Sequence, residues 1–95
     1  MDLAAPFELD PQVALRPEPF GALAYHFGTR RLSFLRSPDI VAVVRALGAE
    51  PSVEAALVSC GIAPARWPSF ESALATLETS GMIRPRVDEE ARRVA

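Results

Sequence analysis

The 95-residue sequence lacks lysine and asparagine altogether, and it has a single cysteine and a single histidine. One cysteine excludes an internal disulfide, and no Cys/His cluster has the spacing of a zinc or iron–sulfur site. No apolar run approaches the ~20 residues of a membrane span, and the acidic start is unlike a signal peptide. We therefore expect a cytoplasmic protein with no metal, no cofactor and no membrane contact.

Strong charge of either sign is also missing, since the formal net charge is −2. This balance gives no electrostatic reason to expect nucleic-acid binding. What the chain has instead is apolar residues, at 49% of the total, enough for one small core. A domain of this length has little interior volume for a deep substrate cavity, so composition favours a function at the surface.

The chain divides into three parts by composition. Residues 1–12 are rich in Ala, Pro and acid, and we interpret them as a flexible arm that docks through Phe7 and Leu9. Residues 13–86 carry the periodic patterns of a folded domain, and residues 87–95 form a charged tail.

Alternating apolar residues predict strands at 13–16, 20–27 and 31–36. Gly28-Thr29 suits a two-residue type II′ turn between the last two strands. With that turn, Tyr25 faces Leu32 and Leu23 faces Phe34. The large apolar side chains then share one face, which we expect to cover the core, while Ala22, Ala24, His26 and Ser33 lie on the solvent side.

The period then becomes helical. Ser37 followed by Pro38 predicts the start of one helix, Ser52 caps a second, and a third runs from Trp67 to Gly81. Strands followed by helices indicate an α+β fold, with a three-stranded antiparallel sheet followed by a three-helix, winged-helix-like bundle.

Catalysis requires converging reactive groups, and the sequence offers few. His26 falls on the solvent side of a strand and Cys60 on the apolar stripe of the second helix, so they do not form a dyad. The acidic residues are scattered, and no glycine-rich phosphate loop occurs. The third helix has no basic residue between Trp67 and Gly81, which disfavours a DNA-reading helix. We predict a protein that is not an enzyme and has no catalytic residue.

The outer edge of strand 31–36 is unpaired in the simplest meander, and it offers backbone donors and acceptors to another strand. We predict that a peptide adds there, with a groove beside the third helix for its side chains. The predicted site comprises Arg31, Leu32, Ser33, Phe34 and Leu35 on the strand and Phe70, Ala73, Leu74 and Leu77 on the helix. The alternatives are an edge merely protected by its arginines, a homodimer that pairs through this edge, and, less favoured, a winged-helix DNA-binding protein.

Two segments resemble a known family: VALRPEPFGALAYHFGTRRLSFLRSPD, from Val13 to Asp39, and LETSGMIRP, from Leu77 to Pro85. They are similar to the mycofactocin-system chaperones, which belong to the PqqD-like peptide-recognition domains. The resemblance covers roughly residues 13–86. It implies a three-stranded sheet on a winged-helix-like trio that binds a ribosomally made precursor peptide between the third strand and the third helix. It further implies delivery to a radical S-adenosylmethionine (SAM) maturase, which carries its own iron–sulfur clusters.

Overall fold

The computed structural model describes residues 1–86, which form five strands and three helices. Their order is β1 (Phe7–Leu9), β2 (Val13–Glu18), β3 (Gly21–His26), β4 (Leu32–Leu35), α1 (Pro38–Ala46), α2 (Val53–Ser59), α3 (Trp67–Thr79) and β5 (Ile83–Pro85). Short 3-10 helices at Leu47–Ala49 and Pro64–Arg66 follow α1 and precede α3. The predicted α+β class is confirmed. The predicted tail at 87–95 lies outside the described residues.

Strands β2, β3 and β4 form one antiparallel sheet in that order. Tyr25 pairs with Leu32 and Leu23 with Phe34, which confirms the predicted register. The predicted type II′ turn is wrong, because the left-handed residue is Arg30, at φ 62°, and not Gly28. The loop between β3 and β4 spans residues 27–31 and is wider than the predicted two residues. The imidazole of His26 holds it, since its Nδ1 accepts hydrogen bonds from the N–H groups of Gly28 and Thr29 at 3.0 Å each.

The face of the sheet that covers the core is the opposite of the predicted one. Ala22, Ala24, His26 and Leu35 are buried, whereas Phe34 on the other face is 57% exposed. Helix α1 packs against β3 and β4, and small alanine side chains let a helix backbone come close to the sheet. The predicted position of His26 on the solvent side is therefore wrong as well.

A second, two-stranded sheet joins the two ends of the described chain. Strand β1 pairs antiparallel with β5, so that Phe7 lies opposite Pro85 and Leu9 opposite Ile83. Phe7 and Ile83 are buried in the core. Phe7 thus docks as expected for the N-terminal segment, but the sequence did not predict a strand there.

All three predicted helices are present, and their caps agree with the sequence. The Ser37 hydroxyl accepts the Ile40 N–H at 3.2 Å, and the Ser52 hydroxyl accepts the Ala55 N–H at 3.1 Å. Gly81, at φ 81°, ends α3 and lets Met82 fold back into the core. These caps fix where α1 and α2 begin and where α3 ends.

Candidate functional site

Strand β4 has a free outer edge. It is the last strand of its sheet, and among residues 1–86 no strand pairs with its outer side. The His26 N–H donates to the Arg31 carbonyl oxygen at 3.0 Å, which makes these two residues a hydrogen-bonded pair. Hydrogen-bonded and non-bonded pairs alternate along an antiparallel ladder, so this pair sets the direction of every backbone group in β4.

The alternation points the backbone of Leu32 and Phe34 outwards. Ser33, two residues from Arg31, lies opposite Ala24 and therefore exchanges hydrogen bonds with β3. Leu32 and Phe34 fall on the non-bonded positions, so their N–H and C=O groups face away from β3. These four groups are a short template for another strand.

The opposite edge of the sheet is less receptive. Along β2, the outward-facing positions are Val13, Leu15 and Pro17, by the same alternation. The Val13 N–H already donates to the Asp10 carbonyl oxygen at 2.9 Å, and Pro17 has no N–H. Only Leu15 retains a free outward amide, so β4 is the better edge for strand addition.

A groove of about 510 Å³ separates β4 from α3. Its walls come from the strand, from the start of α1 and from one face of α3. The lining residues are Ser33, Phe34, Leu35, Arg36, Ser37, Ile40, Arg66, Ser69, Phe70, Ala73, Thr76 and Leu77. Its volume lies within the range of pockets that take a small ligand or several side chains.

Six of the nine residues predicted for the site line this groove: Ser33, Phe34, Leu35, Phe70, Ala73 and Leu77. The other three lie elsewhere. Leu74 is fully buried in the core, and Leu32 is exposed on the far face of the sheet. Arg31 lines a smaller neighbouring cavity with Thr76 and Thr79. The structure thus brings β4 and α3 together on either side of the groove, while Arg31, Leu32 and Leu74 lie outside its wall.

Several groove residues were missed by the sequence analysis. On α3 and the turn before it, these are Arg66, Ser69 and Thr76. They fall three, four or seven positions from Phe70, Ala73 or Leu77, so they belong to the same helical face. Ser69 and Thr76 are sequence neighbours of the predicted Phe70 and Leu77, and Arg66 lies one turn before Phe70, so a wider stripe that began one turn earlier would have included all three.

Arginine side chains border one end of the groove. The Arg66 guanidinium lies 5.2 Å from the centroid of the Phe70 ring and forms a 3.0 Å ion pair with Asp39. Arg36 lies 6.0 Å from the centroid of the Phe34 ring. Among the described residues, Asp39 is the one acidic group in contact with these arginines. The groove is therefore apolar along its walls and basic at this end.

No arrangement for metal chemistry is found among residues 1–86, where no three His, Cys, Asp or Glu side chains cluster. His26 accepts two loop amides, and Cys60 lies at the end of α2 on a different element. Within the same residues, no helix is long and apolar enough to cross a membrane. The groove and the adjacent free edge of β4 together form the candidate site for a peptide.

Comparison with known proteins gives a consistent family. The model of the peptide chaperone MftB family matches residues 6–84. The chain is 48% identical over 80 residues to peptide chaperone MftB of Mycobacterium tuberculosis, covering 84% of this chain and 73% of that protein. It is 47% identical over 79 residues to peptide chaperone MftB of Mycolicibacterium smegmatis, covering 83% and 78%. No solved structure gives a significant match. The chain belongs to the peptide chaperone MftB family.

Proposed function

We propose that this protein is a non-catalytic chaperone that binds a ribosomally made precursor peptide by strand addition to β4. It then presents the bound peptide to a radical SAM maturase in a biosynthesis of the mycofactocin type. The family supports peptide binding by a chaperone. The outward backbone of Leu32 and Phe34, directly beside the groove, is the observation that carries the proposed binding mode.

The bound peptide becomes a fourth strand of the sheet. Its backbone pairs with the N–H and C=O groups of Leu32 and Phe34, each bond adding about 0.5–1.5 kcal/mol net. Alternate peptide side chains enter the groove and contact Phe70 and Ala73. Since four backbone bonds alone give modest affinity, the apolar contacts supply most of the binding free energy.

Ordering a flexible peptide opposes these gains. We therefore expect micromolar or submicromolar affinity, weak enough for the peptide to pass to the next protein. Arg36 and Arg66 at the end of the groove favour a peptide with a carboxylate next to its apolar segment.

Titration calorimetry with the precursor peptide tests this mode through Leu32→Pro. The substitution removes one outward N–H, and proline is tolerated on an edge strand where that N–H faces solvent. We expect binding to weaken by roughly tenfold, the loss of about one hydrogen bond plus local misalignment.

Leu32→Ala is the matched control, because the Leu32 side chain lies outside the groove wall while its amide remains. We expect its peptide affinity to stay within about threefold of wild type. Equal affinities for a folded Leu32→Pro variant and wild type would exclude backbone pairing at β4.

A further inference from the structure

The outer face of the three-stranded sheet is unusually apolar for a solvent-exposed surface. The outer face consists of the side chains of Phe20, Leu23, Tyr25, Phe27, Leu32 and Phe34. Phe20, Phe27 and Phe34 are 41%, 61% and 57% exposed. Since a fully exposed phenylalanine has roughly 200 Å² of accessible surface, these three residues alone expose about 300 Å². A contiguous patch of this size marks an interaction surface in many soluble proteins.

The aromatic rings on this face contact one another. The Phe20 and Phe34 centroids are 5.9 Å apart, and those of Tyr25 and Phe27 are 5.2 Å apart with the rings nearly perpendicular. Such contacts hold the rings in place before a partner arrives, which reduces the entropy lost on binding. The face is thus a preformed surface.

Positive charge borders the outer face. Arg16 lies opposite Leu23 in the ladder, Arg30 is in the loop that follows Phe27, and Arg36 lies over Phe34. Within residues 1–86, Arg16 is the one of these three arginines that forms an ion pair, with Glu18 at 3.1 Å. The border therefore carries a net positive charge that suits carboxylates on a partner.

A second copy of this chain fits the face poorly. In a symmetric dimer the same patch meets itself, so arginine borders would approach arginine borders. Within residues 1–86, the carboxylate at this border is that of Glu18, and because it is already paired with Arg16 it does not offset that repulsion. A different protein with an apolar patch bordered by carboxylates satisfies both the shape and the charge.

The outer face is also continuous with the proposed peptide site. A strand added to β4 has alternate side chains that lie beside Leu32 and Phe34 on this face. Bound peptide and outer face together form one wider surface, closer to the roughly 800 Å² per partner of a stable interface.

We propose that the outer face is the surface through which the chaperone docks the peptide-modifying maturase, whose contact patch is apolar and bordered by carboxylates. This assignment rests on the proposed function for the identity of the partner. The maturase then contacts chaperone and peptide at once, and its affinity is higher for the chaperone with peptide bound.

Binding of purified maturase to full-length chaperone variants tests the assignment. Phe27→Thr removes an exposed ring from the loop, and Arg16→Glu reverses a border charge on β2; neither position lines the groove. We expect each to weaken maturase binding by roughly tenfold, and Leu23→Thr combined with Phe27→Thr to weaken it further. Peptide affinity should stay within about twofold of wild type.

Val58→Thr is the matched control, because Val58 is 62% exposed but lies on α2, away from the sheet. It should bind both partners as wild type does. Unchanged maturase affinity for Phe27→Thr and Arg16→Glu would overturn the assignment, as would failure of wild type to bind the maturase. A wild-type dimer in sedimentation that Leu23→Thr/Phe27→Thr dissociates would instead make the face a self-association surface.

The peptide titration separates this proposal from the proposed function. If the wild-type protein does not bind the peptide, the chaperone function is contradicted. If the variants bind peptide normally and also bind the maturase as wild type does, only the outer-face assignment is contradicted.

Discussion

At the scale of single residues, His26 shows how one side chain shapes the edge of the site. Its Nδ1 accepts two loop amides, and its Nε2 lies 3.7 Å from an Asp10 carboxylate oxygen. Together these contacts tie the loop that precedes β4 to the segment before β2. The direction of β4, and with it the free edge, depends on this loop.

We expect His26→Ala to lower the free energy of unfolding by about 1–3 kcal/mol, because two loop N–H groups lose their acceptor in a partly buried setting. Urea denaturation measures the change. Thr29→Ala is the control, since its hydroxyl accepts only the exposed Arg31 N–H at 3.3 Å, and it should change stability by no more than about 0.5 kcal/mol. Equal stabilities for the two variants would contradict the role assigned to His26.

The same residue marks a limit of reasoning from sequence. Strand alternation placed His26 correctly on the face shared with Ala22 and Ala24, but not on the buried side. Alternation separates two faces and does not say which one meets the core. Large apolar side chains normally decide that question, and here they are on the surface because the alanine face packs against α1.

At the scale of elements, local signals were sufficient wherever the interactions are local. The serine caps indicated where α1 and α2 begin, and Gly81 indicated where α3 ends. The pairing of Leu23 with Phe34 followed from centring the turn on Gly28-Thr29, although the type of turn was wrong. The β1–β5 pair was not predicted. Its strands have three residues each and lie at opposite ends of the described chain, so neither carries a readable period.

The groove between β4 and α3 was predicted only in part, and for the same reason. Phe70, Ala73 and Leu77 follow from the helical stripe, whereas the walls from Ser37 and Ile40 depend on how α1 packs beside the strand. That packing is a tertiary contact, and the local spacing of residues in the sequence does not predict it. Whether the nine predicted residues bind peptide remains a prediction.

A larger side chain in the groove tests whether the peptide binds there. Ala73→Phe adds a ring to the wall between Phe70 and Leu77, and we expect it to weaken peptide binding by roughly tenfold or more, or about 1.4 kcal/mol. Ser72→Phe is the control, because Ser72 is exposed on the same helix and does not line the groove. Calorimetry on both folded variants compares them directly, and equal affinities would argue for binding elsewhere.

At the scale of the whole molecule, the sheet separates two surfaces with different properties. One side packs against α1 and, at its β4 edge, opens into the groove with its basic end. The other presents the aromatic outer face. A strand added at β4 would contribute side chains to both, which suits a protein that holds a peptide while another protein acts on it.

Family membership and the free edge of β4 both point to peptide binding, and they rest on independent observations. The family rests on sequence similarity over residues 6–84, and the free edge rests on the hydrogen-bond alternation of β4. The remaining question is whether the peptide pairs with that edge. Calorimetry reports affinity but not backbone contacts, so a residue-resolved measurement is needed.

Amide hydrogen exchange followed by nuclear magnetic resonance, with and without saturating precursor peptide, tests strand addition most directly. We predict that the Leu32 and Phe34 amides become strongly protected on binding. The Ser33 amide, already bonded to β3, and the Leu15 amide on the opposite edge should change little. Protection at Leu15, or unchanged exchange at Leu32 and Phe34 in the saturated complex, would contradict the account.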